Sequence, residues 1–202
     1  WVMLHTLSDI AGLTGDQKGR YMNPDAHPMF DGAATMLFHA LEGRQAESPQ
    51  EAAAAVRALI YLDSTTSEAS VRDAALAKGR AIADDQLVSF TSNDVVENAA
   101  AIGGLIAIAV AEGDEKYRNA TDGVFQALLA DFDASHGVFK YKDVYIVDEV
   151  AWIIGGLNSL VQKGSDATKA SATAMLLAFY ESTISLGGMQ LSAPPGKDGA
   201  MA

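Results

Sequence analysis

The stretch from Asp131 to Glu149 gathers the side chains best suited to chemistry: Asp131, Asp133, His136, Lys140, Tyr141, Lys142, Asp143, Tyr145, Asp148 and Glu149. Carboxylates beside aromatic rings suit a polyhydroxylated ligand, because rings stack on sugar faces while carboxylates bind hydroxyls or move protons. Glycoside cleavage needs two carboxylates, about 5 Å apart for retention or about 6.5–9.5 Å apart for inversion. Asp148 or Glu149 with Glu97 is the pair to consider, and His136, Tyr141, Tyr145, Trp152 and Asn93 are the residues to hold such a ligand. The competing reading is helix capping, since acidic side chains in a first turn interact favourably with the helix dipole. Glu51, three residues after Ser48, has that structural use. A second constellation is His27-Pro28-Met29 with Met22 five residues before His27, and Met3 and His5 further back. Imidazole and thioether together suit copper, although methionine is also ordinary core filler.

Composition removes other chemistries. The 202 residues contain no cysteine, so thiolate metal sites, disulfides and a cysteine nucleophile are excluded. No GxGxxG, Walker, GxSxG or HExxH motif occurs, and no cofactor is indicated. A net charge of -12 repels a phosphate backbone and argues against nucleic acid as a partner. The most apolar run, Ala99 to Ala111, is shorter than the roughly 20 residues that span a bilayer, and reads as a buried helix. The acidity, the lack of cysteine and a first residue Trp1 in place of Met favour an exported protein, periplasmic or secreted. They also lead us to expect a processed chain or a piece of a longer one.

The elements that must position these residues are helices. Ser48-Pro49-Gln50-Glu51 has an N-cap serine, a proline at the first helical position and a glutamate three residues after the cap. Thr65 with Glu68 has the same spacing. Asn93 or Asp94, Asp143, and Ser165 or Asp166 supply further caps, and Gly43, Gly113 and Gly164 stand where helices should stop. The reading is helices near 2–12, 29–43, 49–63, 67–88, 94–112, 114–131, 145–163 and 166–186, with a short hairpin over Gly137–Tyr145. The class is all-α.

Three segments repeat, beginning at Glu51, Glu97 and Glu149, 46 and then 52 residues apart. IGGL recurs at Ile102–Leu105 and Ile154–Leu157. In each unit the first helix is apolar nearly all round and the second is amphipathic, which predicts an inner layer covered on most sides and an outer layer covered on one. The paired glycines each cost about 1 kcal/mol against alanine in a helix, so a close helix–helix approach should justify them. The expected domain is residues 1–190, with antiparallel hairpins at about 1–43, 49–88, 94–131 and 145–186. A polar tail follows at 191–202.

The segment ENAAAIGGLIAIAVAEGDEKYRNATDGVFQALLADFDASHGVF resembles hairpins of the α/α-toroid, six-hairpin glycosidase-like superfamily, including N-acylglucosamine epimerases and the helical region of thioredoxin-domain spermatogenesis-associated-like proteins. Glu97-Asn98-Ala99, Gly113-Asp114, Lys116-Tyr117 and the exit Asp133…Gly137-Val138-Phe139 carry the likeness. The resemblance implies a partial or open toroid, about four hairpins against the family's six. It also implies that ligands sit at the end where outer helices connect to inner ones. The missing hairpins imply a binding or scaffold domain within a larger chain or complex, with a protein partner or self-association. The alternatives are a carbohydrate-active enzyme, hydrolase or sugar epimerase, with a carbohydrate ligand at that end, and a periplasmic metal-binding protein.

Overall fold

The computed structural model describes residues 1–16, 21–140, 142 and 144–185. Among them are eight α-helices: α1 (Val2–Gly15), α2 (His27–Leu41), α3 (Pro49–Thr65), α4 (Ala69–Gln86), α5 (Val95–Glu112), α6 (Glu115–Asp131), α7 (Val147–Lys163) and α8 (Asp166–Tyr180). A π-helical turn, Glu181–Ser185, follows α8. The fold is all-α. The tail 191–202 and the cap residue Asp143 lie outside the described residues.

Local chemistry explains several helix ends. The Ser48 hydroxyl accepts the Glu51 N–H at 3.1 Å at the start of α3. The Asp94 carboxylate accepts the N–H groups of Val96 (2.7 Å) and Glu97 (3.2 Å) at the start of α5. Gly113 closes α5 with φ at 68°, a left-handed conformation glycine adopts without strain. The next residue, Asp114, caps α6 through the Lys116 N–H at 2.8 Å. Two residues thus stop one helix and start the next.

Two local expectations are corrected. Thr65 and Glu68 make no capping box. Thr65 is the last residue of α3 and donates to its own helix at Tyr61 O, while Glu68 occupies the cap position of α4 without a side-chain cap bond. The connection is too short for the box, and Asp31 from α2 takes both the N–H and the hydroxyl of Ser67 instead, at 3.1 and 2.6 Å. The hairpin also lies earlier than Gly137–Tyr145. Strand β1 (Phe132–Asp133) pairs antiparallel with β2 (Val138–Phe139), with Phe132 opposite Phe139. Its turn is set by Asp133, which accepts the Ser135 N–H and hydroxyl, and by Gly137 at φ 70°.

The helices arrange as the patterning requires. Helices α1, α3, α5 and α7 pack side by side, and α2, α4, α6 and α8 each pack against the inner helix before them. One hydrophobic cluster runs from Leu4 to Phe179. Thirteen residues of α5 are buried, against five of α6. Tyr117, Val124 and Leu128 carry the covered face of α6, with Lys116, Arg118 and Gln126 in solvent. Each fully buried Leu or Ile in this cluster contributes about 1.5–3 kcal/mol of transfer free energy. Helix α5 is, among the described residues, the one long and apolar enough to cross a bilayer, and 72% of that window is buried within this fold.

The paired glycines divide their work. A Cβ at Gly104 would stand 2.9 Å from Ala53 Cα and from Leu87 Cδ1, and one at Gly156 would collide with the Ala99 backbone. These second glycines let α5 cross α3, and α7 cross α5, at the same relative position. The first glycines do not. A Cβ at Gly103 would meet only Arg57, at 3.8 Å, and one at Gly155 nothing within 4 Å. The close approach therefore accounts for one glycine of each pair and not for the other.

Candidate functional site

The sequence places its candidates at the end where outer helices lead into inner ones. There Asn93, Asp94, Val95, Asp131, Phe139 and Lys142 line a hollow of about 90 Å³. Asn93 is thus brought to a depression, while the carboxylates near it serve helix starts. Glu149, in the first turn of α7, receives Lys142 Nζ at 2.8 Å and the Ile146 N–H at 3.0 Å. Those donors, the Lys142 ammonium first, hold its carboxyl below the usual glutamate range. Glu97 accepts the Ser92 hydroxyl at 2.6 Å in the first turn of α5. Asp148 is exposed beside Glu149.

The proposed ligand-holding residues separate. Tyr145 is half-buried and its hydroxyl accepts the Phe139 N–H at 2.9 Å, while its ring packs edge-on against Phe179. Burial pushes its hydroxyl pKa up. His136 is exposed at the ribbon turn, with Nδ1 2.8 Å from Asp133 Oδ2. Ser135, then His136, hold the Asp133 carboxyl well below its ordinary range. Tyr141 lies outside the described residues. Trp152 is elsewhere altogether.

Trp152 sits on the open face of the inner layer. With Val2 and His5 from α1 and Ala54 and Arg57 from α3, it lines a hollow of about 110 Å³. The first glycine of α5, Gly103, lies beside the Arg57 side chain. Tyr61, one helical turn beyond Arg57, packs its ring on His5 with centroids 4.6 Å apart and planes at 60°. Burial, and then the Arg57 charge, lower the pKa of His5, while Asp9 on its own helix opposes them. The hollow is therefore bordered by one cation, an imidazole biased to its neutral form with the Tyr61 ring packed on it, and the Trp152 indole, around a space large enough for several waters at about 10–15 Å³ each.

Sequence reasoning named His5 only as an outlying member of the copper set, and did not identify Arg57 or Tyr61. One signal was present: Arg57 is a lone charge inside AAAAVRALIYL, an otherwise apolar run of a helix that must be covered on most sides. A charge there marks the side left uncovered.

The metal candidates stand near the other end of α1. His27 Nδ1 donates to Ala11 O at 2.9 Å and docks α2 on α1, while Met22 and Met29 are exposed. Among the described residues no three His, Asp or Glu side chains converge as a metal-binding group. Set against models of protein families, curated proteins and solved structures, the chain matches none.

Proposed function

We propose that this chain is a binding or scaffold domain that acts as part of a larger chain or assembly through the open side of its inner layer. In this reading the hairpins form a partial α/α toroid whose two end helices, α1 and α7, await cover. The observation that carries it is the state of α7. Several of its apolar residues stay open to solvent: Ala151 and Val147 are exposed, and Trp152, Ile154 and Val161 are only half-buried. Val2 and Met3 at the opposite end of the row are also exposed, 72% and 66%. Apolar surface left open along a built face is the mark of an interaction surface.

The test is native mass spectrometry of the protein purified from its source, with hydroxyl-radical footprinting of Val147, Trp152 and Ile154. A mass above that of the single chain, with these residues shielded in the assembly, is the expected result. A single chain with all three fully labelled would overturn the reading.

A carbohydrate-active enzyme is the second reading. Its support is that α5 and α7 set Glu97 and Glu149 at the same end of adjacent inner helices, with Asn93 in the hollow there. Alanine at both Asp148 and Glu149 should then abolish glycan turnover while the helical circular dichroism remains.

A further inference from the structure

Arg57 borders a hollow that no described carboxylate lines, in a strongly acidic chain. Among the other described guanidinium groups, Arg44 pairs with Glu51 at 2.8 Å, Arg80 with Glu112 at 2.7 Å and Arg118 with Glu115 at 3.7 Å, while Arg72 makes no ion pair but lies within the field of Asp63. Arg57 has no ion-pair partner among the described residues, although it is partly buried and its side chain borders the hollow. Taking a guanidinium partly out of water without an anion is unfavourable, and a chain of net charge -12 has carboxylates in excess to supply one. Among the described residues no carboxylate lines the hollow. Its other walls are Val2, His5, Ala54 and Trp152, and the acidic group nearest His5 is Asp9, one turn along α1.

Chemistry narrows what would fit. A guanidinium fork binds carboxylate or phosphate oxygens with charge-assisted hydrogen bonds. An indole wall favours a flat apolar body. His5 lies within reach of Arg57's field and adds a polar edge. We propose that this hollow is an anion-binding subsite, in which Arg57 takes the carboxylate or phosphate of a small ligand whose flat apolar body lies against Trp152. The proposal rests on the inner face being a binding surface and names the chemistry of one point on it. The anion replaces the partner that Arg57 lacks, and Trp152 selects against a bare inorganic ion.

Benzoate and phenyl phosphate titrated into the full chain by calorimetry test this, with benzyl alcohol as the uncharged control. One of the two anions should saturate in the millimolar range, and its identity separates a carboxylate source from a phosphate source. Arg57→Met, which keeps the apolar stem, should weaken that binding by about tenfold or more, and Arg57→Lys should restore part of it. Unchanged helical circular dichroism and melting show that the variants fold. A second readout is the His5 ring followed by NMR: the bound anion offsets the Arg57 charge, so the His5 pKa rises on saturation with the anion.

Equal binding of benzyl alcohol, binding indifferent to Arg57→Met, or no saturation by either anion would overturn the subsite. The two readings fail separately. Footprint protection without anion binding removes the subsite alone, and anion binding to an unshielded single chain removes the partner alone.

Discussion

Helices α5 and α7 share the tetrapeptide IGGL at equivalent places, yet the fold treats them differently. Helix α5 has α3 on one flank, α7 on the other and α6 behind it. Helix α7 has α5 on one flank and α8 behind it. Ile102 is consequently 0% exposed, whereas its counterpart Ile154 is only half-buried. Leu105 and Leu157 remain equivalent, both at 0%. The second glycine of each pair, Gly104 or Gly156, meets the preceding inner helix in the same way, at Ala53 or Ala99. The same tetrapeptide thus lies on a helix packed by three main neighbours at α5 and by two at α7.

The sharpest way to break this comparison is to truncate the paired isoleucines. Ile102→Ala should cost about 3 kcal/mol, through lost transfer free energy and the cavity left in a closed core. Ile154→Ala should cost about 1 kcal/mol or less, because water already reaches the site. Urea unfolding measures both, and equal losses would mean that α7 is covered in solution.

The glycines give the next largest effect, of opposite sign within each pair. Gly104→Ala and Gly156→Ala place a methyl group against neighbouring backbone and should destabilise by about 2 kcal/mol. Gly103→Ala and Gly155→Ala meet no such contact and should stabilise by about 0.5–1 kcal/mol through helix propensity. Thermal melts of the four single variants decide it.

The smallest contrast lies at the helix starts. Asp94→Ala should cost about 1 kcal/mol by removing the cap of α5. At α7 the cap position is Ile146, and Glu149 supplies the bond to its N–H. Because the folded Glu149 carboxyl lies below its unfolded range, its contribution is complete above the unfolded value and fades as pH falls through the lower folded one. Glu149→Gln should therefore flatten part of the acid-side loss of stability, read from urea midpoints between neutral and acidic pH.

Much of the fold was legible because its signals are local. A serine or aspartate followed by an N–H two or three residues on, or a glycine at φ near 68°, acts within one turn, so Ser48, Asp94 and Gly113 could be read directly. The failures were places where a distant residue intervened. Thr65-Glu68 reads as a cap until Asp31, more than thirty residues earlier in the chain, takes Ser67. The candidate site was less legible still. Glu97, Glu149 and Asn93 stand out by type and spacing, and the structure does set them at one end of α5 and α7 or in the hollow beside them. His5, Arg57 and Trp152 come from three helices that no spacing rule connects, and only their packing makes a hollow.

The chain's own periodicity and caps determined that it is helical, where most of its helices end, and which of them are apolar all round, because these depend on neighbours within about four residues. Tertiary structure decided which glycine of each pair is a crossing point, which isoleucine is closed from water, and that Arg57 stands without a carboxylate. Those properties depend on how many helices flank a given face, and burial counts neighbours in space that the order of residues does not record.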